Sequence, residues 1–466
     1  MEKEKIFAIK GNIVLPDRVV YNGLIKVQHE KIVSIHTEDQ TTNFDDELDA
    51  TGSFIFPGGI DAHVHCYSEW SEGFENAGRA AAAGGITTII EMPYDADYMI
   101  KDVETFERKK NKISESLVDV AMLSTISKHN GLKDILELGE AGTCGFKVSM
   151  FNTDDVRFPR IDEGQLYEAF QTIKKTGRPV GVHAETNDIV QHELAKYSKD
   201  DTDPLSHIRS RPKIAEATAA LTAMEIAYWS GVKLHLYHTT FKRVFDEVQR
   251  YRGQGVNVTA ETCIHYLTFS EEDMYQEQGR LKINPPMRRK EDVMDLWDQL
   301  ERGDIDLVTS DHAPWPIEKK NSPQIFSNAS GAPGVETLYP VLYSEGVAKG
   351  KLSILRFAQL ISEKPAERFG LSYRKGKIAE GMDADFVIID PKETSRIDET
   401  SLHSQAGWSP YHEWSVQGVI THTISRGEII YDRETGVNER HEGQFIEGVF
   451  TAADSQNKRK EENSYV

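Results

Sequence analysis

The chain has 466 residues, of which 39% are hydrophobic and 28% charged, as is usual for a soluble globular protein. Its formal net charge of −21 argues against nucleic acid or an anionic membrane surface as a partner. The three cysteines are odd in number and far apart, so we expect no disulfide framework and a cytoplasmic location. The sequence predicts neither a signal peptide nor a membrane span, since it has no run of about 18 apolar residues.

The pattern of apolar residues changes twice along the chain. Short apolar runs separated by turn residues predict a β meander over residues 5–55. From Pro57, short apolar runs alternate with helical stretches for about 300 residues, which predicts an α/β fold with a parallel (β/α)8 TIM-type barrel. After about Gly370 the meander pattern returns. We therefore expect a small β-sandwich domain built from both chain ends.

These changes divide the chain into four parts. Residues 1–56 and 373–450 are expected to form the two portions of the β-sandwich, and residues 57–372 the barrel. Residues 451–466 are polar and are expected to form a solvated, partly disordered tail.

The segment Pro57 to His65 contains the most informative motif, a His-x-His pair. Strand side chains repeat every two residues, so His63 and His65 would face the same side of an extended segment. Two converging imidazoles supply half of a transition-metal site. The alternative is a pair of surface histidines on an edge strand.

Other predicted barrel strands also end in residues that can bind metal. The active site of a parallel barrel lies at the carboxyl ends of its strands. His235 competes with His238, but the latter is nearer to the end of its strand and is preferred. A core histidine or a helix cap could explain each residue separately. Together they predict one site with these ligands: His63, His65, Lys147, His183, His238 and Asp311.

Lys147 is the least expected of these residues. An ammonium group among Phe146, Val148 and Met150 would be costly to bury without a partner. Its pKa would fall, and the neutral amine could add carbon dioxide to form an anionic carbamate. Such a carbamate could bridge two divalent metal ions. The alternative is a lysine that reaches the mouth of the barrel with its charged end.

With these residues assembled, the chain resembles the amidohydrolase superfamily, in the cyclic-amidase branch that holds allantoinases, hydantoinases (dihydropyrimidinases) and dihydroorotases. The likeness extends over about residues 5–440. It rests on these segments: Pro57 to His65, Ala80 to Thr88, Gly145 to Lys147, Val182 to Glu185, Glu261 to Leu267, Pro285 to Arg288, Ser310 to Pro314 and Gly381 to Asp385.

The resemblance implies a site for two divalent metal ions, usually zinc. A hydroxide shared by both ions would attack a ring amide carbonyl, with Asp311 as general base and then general acid. It also implies a homo-oligomer, a tetramer or a dimer. The resemblance divides the ligands as follows: His63, His65 and Asp311 hold one ion, His183 and His238 hold the other, and Lys147, as N6-carboxylysine, bridges them.

The segments around the expected pocket resemble two groups within this branch. Glu91 to Pro93 and Phe146 to Asp162 look like allantoinase, as does Ser409 to Tyr411. Ser330 to Glu336 looks more like the hydantoinase loop, in which the residues matching Ser330 and Asn284 contact the ring imide mostly through backbone groups. Ser330 and Asn284 are therefore the expected substrate contacts.

Two departures from the usual pattern bear on the substrate. The segment after His65 lacks an Asn-x-Pro-Gly-Arg element, and without that arginine a dihydroorotase is disfavoured. Pro93 to Asp97 adds two acids near the expected mouth, which makes Asp95 a third candidate for substrate contact.

The preferred function is the metal-dependent opening of a small cyclic amide, allantoin to allantoate. A hydantoinase or dihydropyrimidinase is the alternative. A non-catalytic scaffold of the same fold is a remote third, because such relatives lose metal ligands and all six positions here hold residues able to bind metal.

Overall fold

The computed structural model describes residues 5–37, 44–128 and 131–450. The predicted polar tail, residues 451–466, lies outside the described residues. The strands are β1 (Ile6–Val14), β2 (Val19–Gln28), β3 (Lys31–His36), β4 (Asp46–Pro57), β5 (Gly59–Val64), β6 (Ile86–Glu91), β7 (Asp119–Ser124), β8 (Gly145–Ser149), β9 (Pro179–His183), β10 (Lys233–Leu236), β11 (Val258–Cys263), β12 (Leu307–Thr309), β13 (Phe386–Arg396), β14 (Ser415–Ser425), β15 (Glu428–Asp432) and β16 (Gly436–Val437).

Most of the helices lie between the strands β5 to β13. They are α1 (Gly73–Ala83), α2 (Val103–Lys110), α3 (Gly131–Glu140), α4 (Glu163–Lys175), α5 (Asn187–Leu194), α6 (Leu205–Arg209), α7 (Lys213–Ser230), α8 (Lys242–Gly253), α9 (Ile264–Thr268), α10 (Met274–Glu277), α11 (Lys290–Arg302), α12 (Val335–Leu342), α13 (Ile354–Ala358) and α14 (Lys364–Arg368). None of these helices is both long and apolar enough to cross a membrane.

The predicted barrel is confirmed. Strands β5 to β12 are parallel and pair in chain order. A parallel bridge between Val64 and His312 brings the last strand beside the first, and the backbone N–H of His65 donates to the carbonyl of His312 at 2.9 Å. The strands are buried on both faces, which is why they appear in the sequence as short apolar runs.

Strand β7 was not predicted, because a charged residue stands at its start. Asp119 is fully buried, yet a strand core normally excludes a carboxylate. Lys375 donates to this carboxylate at 2.5 Å, from a segment that follows the barrel. A contact between residues so distant in sequence left no sign in the local pattern.

Both chain ends contribute to one mixed sheet, as predicted. Its strand order is β16-β15-β14-β13-β4-β1-β2-β3, and β4 pairs in parallel with β1 and antiparallel with β13. The sheet covers its own core of apolar residues, which includes Ile9, Ile25 and Phe386. After β16 the chain returns to the barrel, where the carbonyl of Gln444 accepts from the backbone N–H of Val120 at 2.9 Å.

Candidate active site

The six residues predicted as metal ligands lie around one cleft at the carboxyl-terminal end of the barrel. Each lies in the carboxyl-terminal half of β5, β8, β9, β10 or β12, or follows that strand within two residues. Carboxyl ends of parallel strands open to the same side, so residues distant in sequence meet there. The structure brings together the full set: His63, His65, Lys147, His183, His238 and Asp311.

Three of these side chains form a compact group that could hold a metal ion. Oδ1 of Asp311 lies 3.0 Å from Nε2 of His63 and 3.6 Å from Nε2 of His65. One ligand atom from each residue fits within 4.8 Å of the others, and all three residues are buried. Two imidazole nitrogens and one carboxylate oxygen are a ligand set that suits zinc and related ions.

The remaining ligands lie directly beside this group. Nδ1 of His183 faces Nε2 of His238 at 2.8 Å, and the rings of His238 and His63 have centroids 5.5 Å apart. Nζ of Lys147 lies 2.8 Å from Nε2 of His63. The cluster therefore contains a second pair of converging nitrogens and a lysine next to the first group.

Two buried carboxylates fix which nitrogen points to the centre in two of the imidazoles, those of His63 and His183. Glu261 accepts from Nδ1 of His63 at 2.6 Å, and Glu185 accepts from Nε2 of His183 at 2.7 Å. Glu185 is ionised and only accepts, so His183 uses its proton there and turns a lone pair toward the cluster. The contact of Glu261 with Nδ1 of His63 leaves Nε2 of that ring facing the cluster. In the described residues Nδ1 of His65 has no hydrogen-bond partner. The donor set fits divalent metal ions.

Burial sets the protonation states that metal binding needs. It lowers the pKa of His63, His65 and His238 well below the usual value, which leaves neutral rings. Burial also lowers the pKa of Lys147 to about 8, although nearby carboxylates oppose the shift. Burial raises the pKa of Glu185, but the charge of Arg211 and the hydrogen bonds from His183 and Arg211 together outweigh it, and the pKa falls to about 2.

Two of the ligands have an unusual backbone conformation. His238 has φ = 39° and Asp311 has φ = 48°, in the left-handed region that residues with a Cβ rarely adopt. Such a residue costs about 1 to 3 kcal/mol and persists only where its surroundings hold it. Strain of this kind concentrates at functional sites, and here it falls on two predicted ligands.

The cleft above the cluster encloses about 620 Å³, including its open mouth. Asn284 and Ser330, the two predicted substrate contacts, both line it, and Oδ1 of Asn284 has no partner among the described residues. Apolar and aromatic groups supply much of the remaining wall. The lining residues are His65, Ser68, Tyr94, Lys147, Thr153, Phe158, His183, His238, Asn284, Asp311, Ala313, Trp315, Ser330 and Gly331.

The structure does not bring Asp95 to the cleft. Its carboxylate is completely buried and accepts from Nζ of Lys109 at 2.5 Å. Lys109 also binds Glu91 at 2.6 Å, so one ammonium group serves two buried acids. The neighbouring Tyr94 lines the cleft instead. The sequence shows the acids next to the expected mouth, but not the helix α2 lysine that turns Asp95 inward.

Sequence reasoning assigned no role to Glu261, the residue that joins the histidines behind the cleft. Its Oε1 binds His63 and its Oε2 lies 3.2 Å from Nε2 of His235. His235 therefore lies one layer below the predicted ligands, on β10, with Nδ1 beside Thr259. In the sequence Glu261 follows the strand-like run Val256 to Ala260, as Asp311 follows an apolar run, so the same rule could have found it.

The chain belongs to the Amidohydrolase family, whose pattern it matches over residues 54–430. It is 34% identical over 453 residues to an allantoinase of Enterococcus faecalis, covering 94% of this chain and 98% of the relative. It is 37% identical over 394 residues to an allantoinase of Rubrobacter xylanophilus, covering 83% of this chain and 86% of the relative. The L-hydantoinase (dihydropyrimidinase) of Arthrobacter aurescens has a similar structure, with a TM-score of 0.91, 30% identity and coverage of 96% of this chain and 100% of its own. The protein is thus a cyclic amidohydrolase, as predicted.

Proposed function

We propose that this enzyme opens the hydantoin ring of allantoin by hydrolysis to give allantoate. The observation that carries the proposal is the convergence of six metal-competent side chains on one cleft, in a chain whose curated full-length relatives are named allantoinases. A non-catalytic scaffold would have no reason to keep buried neutral imidazoles with their lone pairs turned toward the same centre.

Two divalent metal ions, with zinc as the first choice, would complete the site. When bound, they supply an activated water and positive charge beside the scissile carbonyl. Lys147 would bridge them after carboxylation, and its burial supports this because the reaction with carbon dioxide needs a neutral amine. The ligands divide as follows: His63, His65 and Asp311 for one ion, His183 and His238 for the other, and Lys147 as N6-carboxylysine between them.

The chain supplies the proton transfers and the grip on the ring. Asp311 is the general base, because its carboxylate lies at the cleft floor beside the imidazoles of His63 and His65. The proton it accepts is returned to the ring nitrogen as the C–N bond breaks. Asn284 and Ser330 hold the imide edge of the ring, and the buried, unpartnered Oδ1 of Asn284 is suited to accept a ring N–H.

A hydantoinase is the second candidate, and one observation favours it. Solved hydantoinase structures align with nearly the whole chain, at TM-scores of 0.91 and 0.87. Allantoin is itself a hydantoin ring with a ureido substituent. The two candidates therefore differ in what the cleft accepts beyond the ring and share the ring-opening step.

The test is a side-by-side assay of four ring amides with zinc-loaded enzyme. We expect the highest kcat/KM for allantoin, lower values for hydantoin and dihydrouracil, and little or no hydrolysis of dihydroorotate. Turnover of hydantoin with allantoin left intact would replace the first candidate by the second. Protein prepared with ample zinc that binds no metal and opens none of the four rings would contradict both.

A further inference from the structure

Lys320 is a buried lysine whose ammonium group binds main-chain carbonyls. Only 1% of the residue is exposed. Its Nζ donates to the carbonyls of Lys282 at 2.9 Å, Ala329 at 2.8 Å and Gly331 at 2.6 Å. An ammonium group has three N–H donors, and these three carbonyls match them one to one. Burial and the neighbouring Lys282 lower the pKa of Lys320, but only the protonated amine offers one donor to each of the three carbonyls.

These carbonyls come from the two segments that carry the predicted substrate contacts. Lys282 lies two residues before Asn284, while Ala329 and Gly331 flank Ser330. The carbonyl of Lys282 also accepts from the backbone N–H of Gly331 at 2.9 Å. Lys320 therefore ties one wall of the cleft to the other through three hydrogen bonds from one buried amine.

The segment 328–332 has no helix and only one isolated bridge residue, Ala332, yet all its carbonyls are bound. The carbonyl of Asn328 accepts from Nζ of Lys282, and those of Ala329 and Gly331 accept from Nζ of Lys320. The carbonyl of Ser330 accepts from Nε1 of Trp315, and that of Ala332 accepts from the backbone N–H of Ala313.

Glycine is required within this segment. Gly331 has φ = 120°, and a Cβ there would meet the Cβ of Ala313 at 2.6 Å. The chain thus passes close to the cleft wall in a conformation that regular secondary structure does not stabilise. Side-chain donors replace the backbone hydrogen bonds that a helix or sheet would supply. Lys320 donates two of the five bonds to this segment.

We propose that Lys320 is a positioning residue for the ring substrate, which holds the Ser330 loop and the Asn284 segment in register. This rests on the proposed function, in which those two residues grip the imide edge. Lys320 contacts neither the ligand cluster nor the cleft, so its loss acts on how well the ring is held and leaves the metal site in place.

The test replaces Lys320 by methionine, which matches the unbranched stem of the side chain and removes the terminal amine with its donors. We expect Lys320→Met to raise KM for the best ring substrate by about tenfold or more. The value of kcat and the bound metal per chain should stay within about twofold to threefold. Lys349→Met is the matched control, since Lys349 is half exposed, pairs with Glu345 at 2.6 Å and does not line the cleft; its KM should not change.

Hydrogen exchange gives a second measurement that does not depend on turnover. In the unaltered protein the amides of Ala329 and Gly331 donate to main-chain carbonyls, so this loop should exchange slowly for a segment without secondary structure. Lys320→Met should speed exchange across residues 326–332 by about tenfold. If the variant does not fold, rapid exchange of this loop in the unaltered protein overturns the proposal.

Three further results would decide the matter. An unchanged KM with unchanged exchange in folded Lys320→Met would overturn the proposal, and so would a joint loss of kcat and metal, which marks a general structural role. If the unaltered enzyme opened no ring amide while exchange still responded to Lys320→Met, the proposed function would fall, and the tie between the two walls would be supported.

Discussion

The described part of the chain has two buried clusters of metal-competent side chains, and they differ in what neutralises them. At the carboxyl end of the barrel, His63, His65 and Asp311 converge with further histidines and a lysine whose pKa has fallen. At the other end, Asp119, Asp383 and Asp385 converge equally closely.

The acidic cluster already contains its cation. Nζ of Lys375 lies 2.5 Å from Asp119, 2.9 Å from Asp383 and 2.7 Å from Asp385. Burial alone would lower the pKa of Lys375, but the three carboxylates raise it above its usual value. Close approach of three ligands is therefore insufficient to indicate a metal site. The useful distinction is whether the chain itself provides the positive charge.

The largest expected effect is on the first cluster. Lys147→Ala should remove both metal ions and reduce activity by about 10³-fold or more, because it removes the proposed bridge. Metal analysis of the purified variant and an assay with short carboxylic acids check this, and the acids should restore part of the activity. Full activity in Lys147→Ala would exclude the bridging carbamate.

The second cluster should respond in stability and leave the metal unaffected. Lys375→Met removes the one cation that all three buried carboxylates share, although Asp383 keeps Arg374 and Asp119 keeps Arg426. It should lower the free energy of unfolding by about 3 kcal/mol. Denaturant titration measures the change, while the metal content of the folded fraction should stay the same. Lys364→Met is the control, because Lys364 forms an exposed pair with Glu367 and should alter stability by less than about 0.5 kcal/mol. Metal loss in folded Lys375→Met would contradict the proposal that the acidic cluster acts on stability alone.

A smaller effect is expected where a carboxylate orients a ligand. Glu261→Gln weakens the acceptor for Nδ1 of His63 and should reduce metal affinity by about 10- to 100-fold. Competition with a chelator measures it. Glu225→Gln, which alters the partner of Trp229 on the outer surface, should leave the affinity unchanged. Equal affinities for all three proteins would show that the tautomer of His63 does not matter.

The mildest test varies pH during metal loading of the metal-free protein. Lys147 has a pKa of about 8, so its neutral, carbon dioxide-reactive form increases as the pH rises toward that value. Loading at fixed dissolved carbon dioxide should accelerate about tenfold per unit below pH 8 and level off above it. The buried ligands His63, His65 and His238 stay neutral over this range and do not produce the slope. Loading that is independent of pH would argue that the free amine is not carboxylated.

The sequence predicted the proposed metal ligands better than the buried ion pairs behind them. His183 and Asp311 could be selected because an ionisable side chain at the end of an apolar strand has no packing role. Asp119 was not placed in a strand and Asp95 was assigned to the cleft, because their partners, Lys375 and Lys109, lie on other elements.

The same limit applies to the loop that holds Ser330. Lys320 binds carbonyl oxygens, which every residue carries, so no residue type along the chain reveals the contact. Glu261 was within reach, since it follows a strand-like run as Asp311 does. What the sequence could not supply was the register that places one carboxylate between two histidines.

The pairing of β4 with β13 has a consequence for synthesis on the ribosome. The ribosome synthesises β1 to β4 first, and the entire barrel follows before Phe386, the first residue of β13, is added. Throughout that interval one edge of β4 has unpaired backbone N–H and C=O groups. An unpaired strand edge of this kind can pair with another chain and start aggregation. A messenger RNA truncated before β13 would yield a product that carries every proposed metal ligand but lacks the strand that pairs with the free edge of β4.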